Sequence, residues 1–350
     1  MRILFVGHLW PGSTSLQRMI ALGELGHAVV GVSMTPRNRS RERWLPVRIL
    51  YRLGYPPDLT RANRQILNHI KGNSFDVIWV EKGLTISPRT LIAAKSSNPR
   101  CQLVFFSPDN MMYWRNQSRH YMVSLPLYDL HVTTKSHNVA KLKILGAKDV
   151  LFVNNAYDPH THRPMSLTAE EKAFWGAEVG FVGEFERPRL EIMLGLAKAE
   201  VPVTVRGPEW ELYVGRHSKL VVRPGWVYGD DYARSICATK INLCFLRKIV
   251  GDLQTARSVE IPACGAFMLA ERTDEHLALF QEGKEAEFFG SQDELLDKVK
   301  YYLIHDSQRE QIAAAGRERC LRSGYGNHDR IRVVLEYLQG KSTNSSSNII

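Results

Sequence analysis

The chain has 350 residues, 44% of them hydrophobic and 23% charged, with a formal net charge of +10. That length holds two ordinary domains, that composition is of a soluble globular protein, and no run of about 18 apolar residues offers a membrane span. Five scattered cysteines, an odd number, make neither a disulfide framework nor a zinc pattern, so reduced thiols and a cytosolic protein are expected.

The chain opens on "RILFVG" (2–7), a continuous apolar run closed by glycine, which reads as a buried strand and not as a signal peptide. "SLQRMIALGELGH" (15–27) has helical spacing, and "AVVGVSM" (28–34) is the next strand. Strand, loop, helix, strand begins a doubly wound parallel sheet. Later strands are expected in 75–83, 101–110, 129–136 and 149–159, with a long loop over 107–128. The charge is uneven: residues 1–165 hold roughly 22 Lys/Arg against about 9 Asp/Glu, and the remainder is slightly acidic. The basic residues are densest in "PRNRSRERWLPVRILYRLGY" (36–55), where Arg37, Arg39, Arg41, Arg43, Arg48 and Arg52 interleave with Trp44, Leu45, Ile49 and Leu53. Such a segment suits an anionic membrane surface or an acidic acceptor; the alternative is a basic surface connection.

The pattern restarts at "AEVGFVGEFERPRLEIMLGLAKAEVPVTVRG" (177–207), again strand, glycine loop, helix, strand. Strands follow in 239–246, 266–271 and 286–290, and 291–320 is helical in period, opening on Ser291-x-x-Glu294, a capping-box pattern. The expected division is 1–162 and 163–325, two Rossmann-like α/β domains. A last helix in 326–340 is free to cross back to the first domain, and a Ser/Asn-rich tail (341–350) is disordered in this reading.

Neither glycine loop is GxGxxG, which argues against a dinucleotide oxidoreductase; a P-loop, a CxxC and a GxSxG elbow are missing too. The informative stretch is "RKIVGDLQTARSVEIPACGAFML". It follows the strand "INLCFL", at the end of the sheet where open α/β proteins bind ligands. Asp252 is placed to cap a helix starting near Leu253, whose amide groups would seat a diphosphate with help from Lys248. Glu260 lies two turns on, where a carboxylate accepts two hydrogen bonds from a ribose diol. Gly265 allows a left-handed stop.

An acid, seven residues, then Glu, a small residue, Cys-Gly and an apolar strand resembles the group-1 glycosyltransferases of the GT-B fold, closer to their CgeB-like branch. The resemblance is carried by 225–246, 252–280 and 282–303, and more patchily by "FFSPDN" (105–110) and "VLFVNNAYDPHTHRP" (150–164). It implies two Rossmann-like domains facing each other across a cleft. Glu260 is then similar to the glutamate that holds the nucleotide ribose, and Asp252 to a glutamate near the donor sugar. Arg257 and Thr255 lie on the donor helix. Gly183 with Arg187 and Arg189 resembles the diphosphate loop. "PGWVYG" (224–229), with Trp226 and Val227, resembles the segment that reads the base.

For the acceptor, the strand ends of the first domain supply His8, Ser13, Glu81 and Asn110. If the reaction inverts the anomeric centre, Asp109 is the first choice of general base and His8 the second; if it retains, the departing phosphate takes the proton. His120, His131, His137 and His162 read as structural or exposed. No prosthetic group, metal site or nucleic-acid motif is expected, and the donor would be a UDP, GDP or dTDP sugar. The alternatives are a sugar-nucleotide epimerase of the same fold or a non-catalytic binder. A peripheral position at the inner membrane face and a role in polysaccharide biosynthesis complete the expectation.

Overall fold

The computed structural model describes residues 1–36 and 44–340. Arg37, Arg39, Arg41 and Arg43 of the basic segment, and the expected tail from 341, lie outside the described residues. The chain divides into two compact units, the first joining Met1–Asn154 to the chain from Asn327 on, the second being Asn155–Gly326.

The first unit contains β1 (Arg2–Gly7), β2 (Ala28–Ser33), β3 (Val77–Glu81), β4 (Gln102–Ser107), β5 (Leu130–Thr133) and β6 (Val150–Phe152). They pair in parallel in the order β2-β1-β3-β4-β5-β6. Successive side chains of a strand point to opposite faces, and both faces are buried here. Leu4, Val6, Ile78, Val80, Leu103 and Phe105 enter one core, against Ile66 and Leu91. Ile3, Phe5, Val77, Trp79 and Val104 enter the other, against Leu22, Ile331, Val334 and Leu335. The last three belong to the helix Asn327–Leu338, which thereby covers the sheet of the first unit. His328 Nε2 lies 2.7 Å from Glu24, and Tyr337 donates to Asp149 at 2.6 Å.

The second unit contains β7 (Ala177–Val182), β8 (Val203–Gly207), β9 (Leu220–Pro224), β10 (Thr239–Cys244), β11 (Met268–Glu271) and β12 (Glu287–Phe289). Its parallel sheet runs β12-β11-β10-β7-β8-β9. The helix Arg187–Lys198 packs Leu190, Met193 and Leu196 on Phe181, Val203 and Val205.

Three expectations are corrected. The 107–128 stretch is not one loop: Ser118 caps a helix, Arg119–Ser124, whose Tyr121 is buried, and six residues are too few to show a period. The 291–320 stretch is two helices, Gln292–Ile304 and Asp306–Arg322, separated at His305 with φ −111° and ψ 63°. Only half of the Ser291 box forms, because Glu294 accepts from Gly290 N–H at 2.8 Å instead of from its cap residue. Strand β9 had no sequence signal: it is an edge strand, half exposed, ending on proline.

Truncating Ile331 removes apolar atoms from a buried seam of the first unit, so Ile331→Ala should cost about 2–4 kcal/mol in urea unfolding. A loss below about 0.5 kcal/mol, the range of a surface substitution, would mean that the last helix does not complete this core.

Candidate active site

In a doubly wound sheet the crevice opens where strand order reverses, beyond the carboxyl ends of the two strands concerned. In the second unit those strands are β7 and β10. A cavity of about 280 Å³ lies there, walled by Phe185, Ile192, Phe245 and Ile249 with Arg189 and Lys248 at its polar side. The turn after β7 allows no side chain. A Cβ on Gly183 would stand 2.6 Å from the Phe181 ring, and one on Gly207 would stand 2.0 Å from the Gly183 carbonyl oxygen. Gly183 N–H donates to Arg206 at 2.8 Å, and Trp210 Nε1–H donates to the Gly183 carbonyl at 2.9 Å. The turn is therefore held from both sides.

Two guanidinium groups converge beside it. Arg189 and Arg257 stand 5.2 and 5.3 Å from the centroid of the same ring, Phe181. Arg189 is buried, and Arg257 reaches within 3.3 Å of the Cβ position of Gly183. Arg189 Nη1 donates to the Glu184 carbonyl at 2.8 Å, but its buried Nε and Nη2 have no hydrogen-bond acceptor, although Glu186 lies 3.4 Å from Nη2. The buried Nε of Arg257 is likewise without an acceptor. Burial, with repulsion from Arg257 added, pushes the Arg189 guanidinium down to about 10. Two like charges with unused donors are expensive for the free protein. A diphosphate supplies what they lack, namely negative charge and several acceptor oxygens. The expected partners Arg187 and Lys248 are exposed and ion-paired with Glu191 and Glu271, at 3.1 and 3.2 Å. Of the loop cations, Arg189 is the buried one.

The helix of the opening stretch is shorter than expected. It spans Arg257–Ala263, and Asp252 is not its cap; Gly251, at φ 68°, turns the chain, and residues 252–256 approach the helix as a loop. Asp252 and Glu260 therefore do not share a helix face. The loop is tied elsewhere: Gln254 is fully buried and accepts from Asn155 at 3.1 and 3.2 Å, and Thr255 N–H donates to Ser258 Oγ at 3.0 Å. Gly265, at φ 70°, closes the helix with bonds from its own N–H to Pro262 and from Ala266 to Ile261, a Schellman ending.

Glu260 is buried and oriented by two residues that sequence reasoning missed. Tyr232 donates to Oε2 at 2.9 Å, and His162 Nε2 lies 3.6 Å from Oε1. His162 Nδ1 accepts from Asp158 N–H at 2.9 Å, so the proton sits on the nitrogen facing Glu260. Burial, then the Glu260 carboxylate, hold the Tyr232 phenol well above its ordinary range. The two lie in stretches that carry the resemblance, 150–164 and 225–246, but 70 residues apart, and neither stretch shows by itself that they meet at Glu260. Trp226 and Tyr228 are exposed at the end of β9, whereas Val227 packs on the core that contains Tyr157 and Tyr232.

In the first unit, order reverses between β1 and β3. A cavity of about 290 Å³ lies beyond them, bounded by His8, Tyr51, Asp58, Lys82 and Arg115 among others. Lys82 has φ 44°, a conformation that costs a side-chain-bearing residue on the order of 1 kcal/mol and clusters at functional sites. Asp109 forms an ion pair with Lys82, which also donates to Asn116 at 3.3 Å. Ser13 caps the helix Thr14–Glu24 and donates to the His8 carbonyl at 2.5 Å. Asn110 closes a local turn by accepting from Met112 N–H. Glu81 is 1% exposed and accepts from Ser15, Arg18 and Trp79, at 2.5 to 3.3 Å, so it pins β3 to the first helix and has little left for a substrate.

Residues 187–336 match a family model described as "Glycosyl transferase-like". A comparison with curated proteins finds no match. Among solved structures, HepE of Anabaena in complex with UDP-glucose is 13% identical, with TM-score 0.63 over 97% of this chain and 100% of that one. Sucrose-phosphate synthase from Thermosynechococcus elongatus is 11% identical, with TM-score 0.65 over 97% and 98%. α,α-Trehalose 6-phosphate synthase from Burkholderia multivorans is 12% identical, with TM-score 0.62 over 99% and 100%.

On the helix Asp274–Leu279, His276 is wholly buried with Nδ1 2.6 Å from the Glu271 carbonyl and Nε2 2.7 Å from Ser258 Oγ. A carbonyl only accepts, so Nδ1 carries the proton and Ser258 donates to Nε2. Burial lowers the imidazole to about 4, against the raising effect of the Glu271 carbonyl. The unfolded histidine titrates near 6.5, so between about pH 6.5 and 4 the unfolded chain binds more protons. Stability should be intact above that window and fall on acidification through it, by on the order of 3 kcal/mol. Urea unfolding at pH 7 and 4.5 should show a smaller difference for His276→Asn; an unchanged difference would remove His276 as the cause. By fold, the chain is a two-domain GT-B protein, and its glycosyl transferase-like region begins at the first residue of the helix that bears Arg189.

Proposed function

We propose that the protein is a glycosyltransferase that moves a sugar from a nucleoside-diphosphate sugar to a hydroxyl of a glycan, lipid-linked or other cell-envelope acceptor, without a bound metal. The observation that carries this is the pair Arg189 and Arg257, whose unused donors crowd the Gly183 turn at the reversal of strand order, with Glu260 on the same helix as Arg257. In this reading the two arginines bind the diphosphate and stabilise the charge it gains as it leaves, which is the costly part of the reaction. Glu260, aimed by Tyr232 and His162, accepts the ribose hydroxyls. Gly183 lets the phosphates approach the backbone. Trp226, Val227 and Tyr228 border the base, and Lys248, Arg187, Thr255 and Asp252 lie around the donor. HepE, of the same fold, binds UDP-glucose, and this supports UDP ahead of GDP or dTDP as the nucleotide.

The cavity of the first unit is the candidate acceptor site, and a second substrate site favours transfer over epimerisation, which needs one. His8 lies on its wall. Asp109 reaches it through its ion pair with Lys82, and serves as base for an inverting reaction once an acceptor hydroxyl draws it off the lysine. A CgeB-like relationship and a peripheral position at a membrane surface belong to the same reading; among the described residues no helix is long and apolar enough to cross a membrane.

The test is thermal unfolding with UDP, GDP, dTDP and CMP and their sugars. A ligand at a hundred times its Kd stabilises by about 2.7 kcal/mol. The expected result is stabilisation by a nucleoside diphosphate, UDP foremost, that Glu260→Ala and Arg257→Ala each remove. Stabilisation by none of them would reject the donor site.

A further inference from the structure

The helix Leu45–Arg52 buries one side chain, Val47, and leaves its other apolar residues exposed. At 3.6 residues per turn, Leu45 and Ile49 lie opposite Val47, and Val47 is the residue that is buried. Leu45, Ile49 and Leu53 repeat every four residues along the outer side, all about half exposed or more, with Trp44 exposed before them. Arg48 and Arg52 form a parallel exposed row. From Trp44 to Pro57 the chain holds these two arginines and no acid. Gly54 accepts from Arg119 N–H at 2.7 Å, which sets the exposed Arg119 and Arg115 beside the same surface. Tyr51, half exposed and on the same side of the helix as Val47, is a wall of the first-unit cavity together with His8, Lys82 and Arg115. Asp58, the acid on that wall, already accepts from Ala62, Asn63 and Thr60, at 2.8 to 3.3 Å.

We propose that this surface docks on a bilayer rich in anionic lipid and that the cavity behind Tyr51 takes the terminal phosphate of a lipid in that bilayer. The outward leucine and isoleucine side chains enter the boundary between headgroups and acyl chains, and the arginine row meets the headgroups. Charge complementarity selects the occupant: a row of arginines beside an outward apolar face suits a lipid surface better than a neutral protein groove. The inference rests on the transferase reading only in making that lipid the acceptor, a P–OH of its terminal phosphate being then the hydroxyl that takes the sugar.

The probe is flotation of the full chain with vesicles of phosphatidylcholine alone, with added phosphatidylglycerol, and with added phosphatidic acid, whose phosphate is terminal. The expected order is no binding, binding, and tighter binding. Ile49→Asp with Leu53→Asp should weaken binding by at least about tenfold, and Arg115→Gln should weaken binding to phosphatidic acid by about fivefold. The UDP thermal shift of each variant reports separately on the fold and on the donor site. Equal binding to all three vesicles, no binding, or full binding by the double variant would overturn the docking. Equal binding to the two anionic lipids would overturn the phosphate site. If inorganic phosphate stabilises the wild type and the double variant alike while vesicles do not bind, the cavity serves a soluble phosphate and the lipid assignment is wrong.

Discussion

Arg189 and Arg257 pack their guanidinium groups on one phenylalanine ring, and both keep buried N–H donors with no acceptor. The surroundings are explicable as what holds this arrangement in place. Gly183 has no room for a side chain because the Phe181 ring and Arg257 occupy that space, and Gly207 has none because its backbone lies against the Gly183 carbonyl. Trp210 fixes that carbonyl, and the Ser258–His276 pair fixes the start of the helix that carries Arg257 and Glu260. A buried cation without full hydrogen bonding is tolerated where it serves function more than stability.

The surroundings of Glu260 are assembled from distant pieces of chain. The segment Asn155–His162 lies before the first strand of the second unit, yet it bonds to Gln254 and faces Glu260. Tyr232 comes from the helix Asp230–Ala238, after the exposed Trp226 loop. A glutamate held from two sides presents its carboxylate in one orientation, which preorganises it for a ligand that offers two hydroxyls.

How much was legible in the sequence follows from the range of each signal. Parallel strands buried on both faces read as unbroken apolar runs, so β1, β3, β4, β7 and β10 stood out, as did the glycines that close β1 and β7. Glu260 was legible because "EIPACG" couples it to a glycine stop and a strand. Asp252 was read as a cap because Asp is a good cap residue and its spacing to Glu260 fits two turns. The structure starts the helix at Arg257, since Gly251 bends the chain and Gln254 is drawn into the interior. Tyr232 and His162 lie in stretches that carry the resemblance, but their pairing with Glu260 was not legible, because it exists only after the chain brings them to the carboxylate. Glu81 had the right position for a site residue, at a strand end, but Arg18 and Ser15 one helix away claim it. The outward face of Leu45–Arg52 was half legible: composition showed the interleaved arginines and apolar residues, whereas the direction in which they point required the fold.

If Arg257 is kept for a ligand and not for the fold, the ligand-free protein does not need its charge. The direct measurement is urea unfolding of the ligand-free protein with Arg257→Met, a substitution of similar length without charge. The variant should be as stable as the wild type or more so, since a half-buried guanidinium whose buried Nε has no acceptor has been removed, while stabilisation by nucleoside diphosphates should be lost. A loss of about 3 kcal/mol or more in the ligand-free protein would identify Arg257 as a structural cation and not a ligand-binding one.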